Sequence, residues 1–193
     1  MAKNTLLFVF LVSCFFSFNA QAAWEDDFKR LKDVQRSFED TGAICEELAR
    51  LRFEDLYPNS NYKVVVGISY GDLKSTIGEL DVVVIDEANK KAVQVAEVKC
   101  WKSFAGGLEK AKEQRQRFLN ALKSKHTLYY QCDATEESYE ESIFSNVSTF
   151  LTVGPKGSKQ AGYDFELEYD FKQLRHLGME LLRCQDRGEC AKP

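Results

Sequence analysis

The sequence contains only two histidines, His126 and His176, and three prolines in 193 residues. Two histidines exclude a three-histidine zinc centre. None of the six cysteines forms a CxxC pair, which argues against a zinc ribbon or a thioredoxin-type redox site. No internal repeat or low-complexity tract is present. With 44% hydrophobic residues the chain is neither a disordered tail nor a collagen-like repeat. A large charge of one sign is also missing. There are 26 basic and 30 acidic residues, a net charge of −4. That balance argues against a charge-driven nucleic-acid coat protein, yet it leaves room for an enzyme with a local basic face.

What is there starts with an export pattern. Lys3 is followed by the uncharged run Thr5 to Phe18 and by Ala20-Gln21-Ala22, a small-x-small cleavage site. The run is too short to span a bilayer, and the three parts together make a secretory signal peptide over residues 1–22. Residues 23–193 are then one domain of ordinary size, secreted or periplasmic after cleavage near Ala22. In an oxidising compartment some of Cys45, Cys100, Cys132, Cys184 and Cys190 should pair. Cys184 and Cys190 are the best local candidates, and the connectivity stays open.

Hydrophobic periodicity gives the order of elements. Residues 24–57 read as helix, broken near Thr41-Gly42 and stopped by Pro58. Tyr62 to Tyr70, Leu80 to Ile85 and Ala92 to Trp101 read as strands. Residues 104–124 form an amphipathic helix. His126 to Cys132 and Val147 to Val153 read as strands, and Pro155 to Gly162 as a loop. Tyr163 to Tyr169 alternates like a strand, and Phe171 to Cys184 closes the chain as a helix. The class is α/β, in the order α-β-β-β-α-β with a C-terminal strand and helix extension.

The second and third strands carry the chemistry. A hairpin turning around Asn89 sets Ile85 opposite Val93, Val83 opposite Val95 and Asp81 opposite Glu97. Because side chains alternate along a strand, Asp81, Glu97 and Lys99 then share a face with those valines. Charged groups on a buried face are costly unless paired or bound to a cation. Two carboxylates and a backbone carbonyl are hard ligands suited to Mg²⁺ or Mn²⁺.

These residues resemble the PD-(D/E)XK nuclease superfamily. Gly78-Glu79-Leu80-Asp81-Val82-Val83-Val84, twelve residues, then Glu97-Val98-Lys99 matches its central motif, with Leu80 where a proline is expected. Gly42-x-x-x-Glu46-x-x-Ala49 is similar to the first-helix motif of Holliday-junction-resolvase-like members, and Gln114 to the glutamine that often follows the lysine strand. The likeness spans about residues 40–130. It implies a restriction-endonuclease-like αβββαβ core, a mixed central sheet flanked by helices. It also implies a metal held by Asp81, Glu97 and the Val98 carbonyl, and Lys99 acting on the attacking water and the phosphate. Glu46 would hold water from the helix side, and Gln114 would position Lys99 or the substrate backbone. Periodicity leaves Glu46 and Glu47 both beside the apolar stripe; the spacing from Gly42 favours Glu46. The implied activity is Mg²⁺- or Mn²⁺-dependent cleavage of nucleic acid, DNA ahead of RNA, by an endonuclease. Many such proteins dimerise, so a homodimer is compatible.

From Lys99 to Lys125 eight residues are basic and two acidic. Lys102, Lys112, Arg115 and Arg117 are the candidate phosphate contacts in this stretch. Trp101 and Phe104 are candidates for base stacking. Two other readings compete. One is a nucleic-acid-binding domain that keeps the scaffold without the chemistry. The other is a serine hydrolase centred on Ser69 in Gly67-Ile68-Ser69-Tyr70-Gly71, with His176 as its base. A nucleophile elbow must lead into a helix, and the seven or so residues before the next strand leave no room for one.

Overall fold

The computed structural model describes residues 23–72, 74–124, 127–132 and 134–193. The leader expected over residues 1–22 lies outside that range, as do Lys125 and His126. A first helix, α1, covers residues 23–31. Helix α2 spans Thr41–Leu56; Asp40 caps it by accepting a hydrogen bond from the Gly42 amide. It ends two residues before Pro58, because the residue preceding a proline is held out of the helical region.

Strands β1 (Tyr62–Asp72), β2 (Ser75–Asp86) and β3 (Lys91–Val98) follow as an antiparallel meander. Helix α3 (Phe104–Leu122) then crosses the sheet. Strands β4 (Tyr129–Cys132), β5 (Glu137–Tyr139), β6 (Thr149–Gly154) and β7 (Phe165–Glu166) complete a mixed seven-stranded sheet, and helix α4 (Phe171–Asp186) closes it. The order across the sheet is β5-β4-β1-β2-β3-β6-β7, with β3, β6 and β7 parallel. The fold is thus α/β, with helices on both faces of a mixed sheet.

Each face has its own core. One packs α1, α2 and α4 on Val82, Val84, Ala96 and Val98, through residues such as Ile44, Leu48 and Leu177. The other packs α3 and β4 on Val83, Ile85 and Val95, through Phe118, Tyr130 and Phe144. Among the described residues no helix is long and apolar enough to cross a membrane. Cys184–Cys190 and Cys45–Cys100 are disulfides, as an oxidising compartment favours, and Cys132 is a buried free thiol.

Four expectations need correction. The hairpin register holds at Val83↔Val95 and Val82↔Ala96, but a bulge between Val84 and Ile85 pairs Ile85 with Ala92 instead of Val93. Past a bulge the alternation flips, so Ala92 joins the α3-side core and Val93 packs against the other. Strand β2 begins at Ser75, five residues before the expected Leu80. The strand after α3 lies across the meander from β3. It pairs antiparallel with β1, where Tyr130 stacks on Tyr70 and Phe144, and the parallel partner of β3 is β6. The expected strand Tyr163 to Tyr169 shrinks to Phe165–Glu166, because Asp164 spends its carboxylate on the Thr152 amide and hydroxyl.

Candidate active site

The alternation along β2 breaks at one place. Val82 belongs to the α2-side core and Leu80 to the α3-side core. Asp81 sits at the break, next to the point where β1 carries Gly67 with φ 71°. That left-handed backbone is open to glycine at little cost. Gly67 therefore belongs to a kink that serves the site, and not to a nucleophile elbow. Ser69 lies two residues further along a continuing strand, paired with Glu79 on β2 and Gln131 on β4. His176 stacks on Trp24.

Asp81 is buried at 5% exposure, Glu97 at 2% and Lys99 at 9%. One Asp81 carboxylate oxygen accepts from the Val98 amide at 2.7 Å and from Lys99 Nζ at 2.5 Å. Lys99 Nζ also donates to the Val98 carbonyl at 3.1 Å and lies 3.7 Å from Glu97. The ammonium thus occupies the point on which the two carboxylates and the carbonyl converge. Both Glu97 oxygens are buried and accept no hydrogen bond. Burial first, and the Asp81 charge second, push the Glu97 carboxyl well above the usual carboxylate range; Lys99 opposes the shift.

Glu46 enters from α2 on the opposite face of the sheet. Burial and Asp81 raise its carboxyl to about 7, against the pull of Arg36, to which it is ion-paired. Glu47, the alternative, shares Arg36 with Glu46 at 3.2 Å and also accepts from Arg50 at 2.6 Å, but only Glu46 lines the neighbouring cavity. Glu46, Val98, Lys99 and Gln114 line one cavity of about 510 Å³ at the end of the sheet. Gln114 Oε1 is buried and unpartnered there. Lys110, one turn before Gln114 on α3, shares the cavity wall, a position that the i, i+4 spacing makes legible. Lys102 and Trp101 line it from the β3–α3 loop.

The other expected phosphate contacts fall outside this wall. Lys112 and Arg117 are exposed on α3, and Arg115 lies over the Phe150 ring on β6 at 4.9 Å. Cys45 neighbours Glu46 and Cys100 neighbours Lys99, so their disulfide ties the helix carboxylate to the lysine strand. The export pattern signalled that some cysteines pair, but only the fold shows that Cys45 joins Cys100. Arg36, which holds Glu46, carried no signal in the sequence.

The donor set at Asp81, Glu97 and the Val98 carbonyl is all oxygen, which fits a hard divalent cation. The two unpartnered oxygens of Glu97 fit it as well. Among the described residues no three histidine, cysteine, aspartate or glutamate side chains stand together as a metal cage, so such an ion would complete its shell with the carbonyl and water. No family model, curated protein or solved structure matches the chain.

Proposed function

We propose that the protein is an exported, metal-dependent nuclease with a restriction-endonuclease-like core formed by α2, β1, β2, β3, α3 and β6. The observation that carries this reading is the buried pair Asp81 and Glu97, compensated by a single ammonium, that of Lys99, which itself lines the open cavity although the two carboxylates behind it do not. A core built for stability alone gains nothing from two such carboxylates, since an ion pair of this kind is often no better than an apolar substitute. The resemblance of Gly78 to Lys99 to the PD-(D/E)XK motif points the same way.

Asp81, Glu97 and the Val98 carbonyl would hold Mg²⁺ or Mn²⁺. When bound, the ion supplies Lewis acidity toward a phosphate oxygen and makes water a better nucleophile. Lys99 leaves its three oxygen partners and turns its ammonium toward the phosphate, where it meets the charge that develops in the transition state. Glu46, with a carboxyl that titrates near neutrality, accepts a proton from water on the helix side. Gln114 offers its free Oε1 to the ammonium in its new position or to the attacking water.

The test is cleavage of plasmid DNA and of single-stranded oligonucleotides with Mg²⁺ or Mn²⁺, with EDTA as control. The expected result is metal-dependent cleavage, abolished by Asp81→Asn and lowered about 10²–10³-fold by Lys99→Ala. Binding without cleavage would select the non-catalytic scaffold. Cleavage unchanged by either substitution would overturn the assignment.

A further inference from the structure

We propose that Trp101 is a base-stacking platform and that the strand entering the cavity is unpaired nucleic acid. The proposal rests on the nuclease reading and names its substrate class. Trp101 is 47% exposed, yet the backbone that carries it is fixed on every side. The Lys99 amide donates to the Val153 carbonyl at 2.8 Å. Cys100 is tied to Cys45. The Tyr163 hydroxyl lies 3.4 Å from the Lys99 carbonyl and donates to the Phe104 carbonyl at 3.1 Å. Ser103 caps α3 through the Gly106 amide.

The ring lies by the first turn of α3, where Gly106 and Gly107 carry no side chain to cover it. At Gly107 a Cβ would come within 2.4 Å of the Tyr163 hydroxyl, so that residue is small because the helix sits close to the loop. A half-exposed indole on a pinned backbone loses little freedom when it binds. Among the described residues the other exposed large apolar side chains, Leu56, Tyr129 and Met179, do not line this cavity.

Charge completes the surface. Lys102 and Lys110 share the cavity with Trp101, and Lys102 Nζ stands 5.7 Å over the Phe171 ring, a second aromatic wall. An aromatic face beside ammonium groups matches a nucleotide: the base stacks and the phosphate meets the lysines. A base inside a duplex has both faces covered by its neighbours, so only an unpaired base can use this ring. Stacking of this kind tolerates any base, so no sequence preference follows from it.

The experiment uses the full oxidised chain in EDTA, with Trp24→Phe as background so that Trp101 alone reports. A twelve-nucleotide oligothymidine is expected to quench the fluorescence, and a relaxed, covalently closed duplex circle, which has no exposed terminal base pair, is not. In unlabelled binding, Trp101→Ala should raise the Kd for oligothymidine about tenfold, and Trp101→Phe should restore most of the affinity. The melting temperature should stay the same in all three. Equal affinity of wild type and Trp101→Ala for oligothymidine, with metal-dependent cleavage intact, would overturn this proposal and leave the nuclease standing. Absence of both binding and cleavage on every nucleic acid would overturn the nuclease reading itself.

Discussion

Glu97 is the residue on which the proposed chemistry turns. Its two oxygens lie out of water without a hydrogen-bond donor, and the nearby ammonium is shared with Asp81 and the Val98 carbonyl. Such a group prefers to be neutral, and so does Glu46, whose carboxyl rises to about 7. The folded chain therefore retains protons that the unfolded chain has given up. This stabilisation is complete below the ordinary carboxylate value of about 4.5 and is lost as pH rises through about 7 for Glu46 and through the raised range of Glu97. In EDTA the wild type is expected to melt at a lower temperature at pH 8 than at pH 5, as far as these two groups act. Glu97→Gln keeps the shape and removes one titration, so its melting temperature should match the wild type at pH 5 and exceed it at pH 8. A variant that tracks the wild type across that window would show that Glu97 is not held in this state.

At the scale of elements, the two disulfides divide by the length of chain they close. Cys45–Cys100 spans 55 residues and Cys184–Cys190 spans 6. Loop-closure entropy assigns about 4 kcal/mol to the first and about 2 kcal/mol to the second. Urea unfolding of Cys45→Ser with Cys100→Ser should show the larger fall in midpoint and should also reduce cleavage, because α2 would no longer hold Glu46 against the lysine strand. Cys184→Ser with Cys190→Ser should leave the rate unchanged. The opposite ranking would mean that the Cys45–Cys100 link does not position the site.

The sequence carried the elements well wherever periodicity was strong. Helix α3 and strands β1 and β3 fall within three residues of the expected ranges, whereas β2 is twice the expected length and starts five residues early, at Ser75. The register leading to Asp81 and Glu97 was legible because alternate valines dictate it; the bulge at Val84/Ile85 was not, since both registers bury aliphatic side chains. The meeting of Asp81, Glu97 and Lys99 was legible from the hairpin register; the kink at Gly67, beside which Leu80 and Val82 go to different cores, was not. The role of β4 was hidden for a related reason. Its partner is chosen by the stacking of Tyr130 on Tyr70 and Phe144, contacts between residues far apart in the chain.

On the scale of the whole molecule, the candidate site exists because two cores meet at one end of a sheet. The α2-side core brings Glu46, the α3-side core brings Gln114 and Lys110, and between them β3 ends at Glu97 and Val98, beside Asp81 in the middle of β2. The chain carries 30 acidic residues, so a divalent cation has many carboxylates to visit. Most of those are solvated, and the exposed ion pairs among them are weak. The site at Asp81 and Glu97 differs in being buried and short of partners. The most direct test of that difference is an anomalous-scattering map from a crystal grown with Mn²⁺. The account predicts one dominant peak within coordination distance of Asp81, Glu97 and the Val98 carbonyl, with Lys99 Nζ displaced toward the cavity. A map with no peak there, and Lys99 still bridging Asp81 and Glu97, would contradict it.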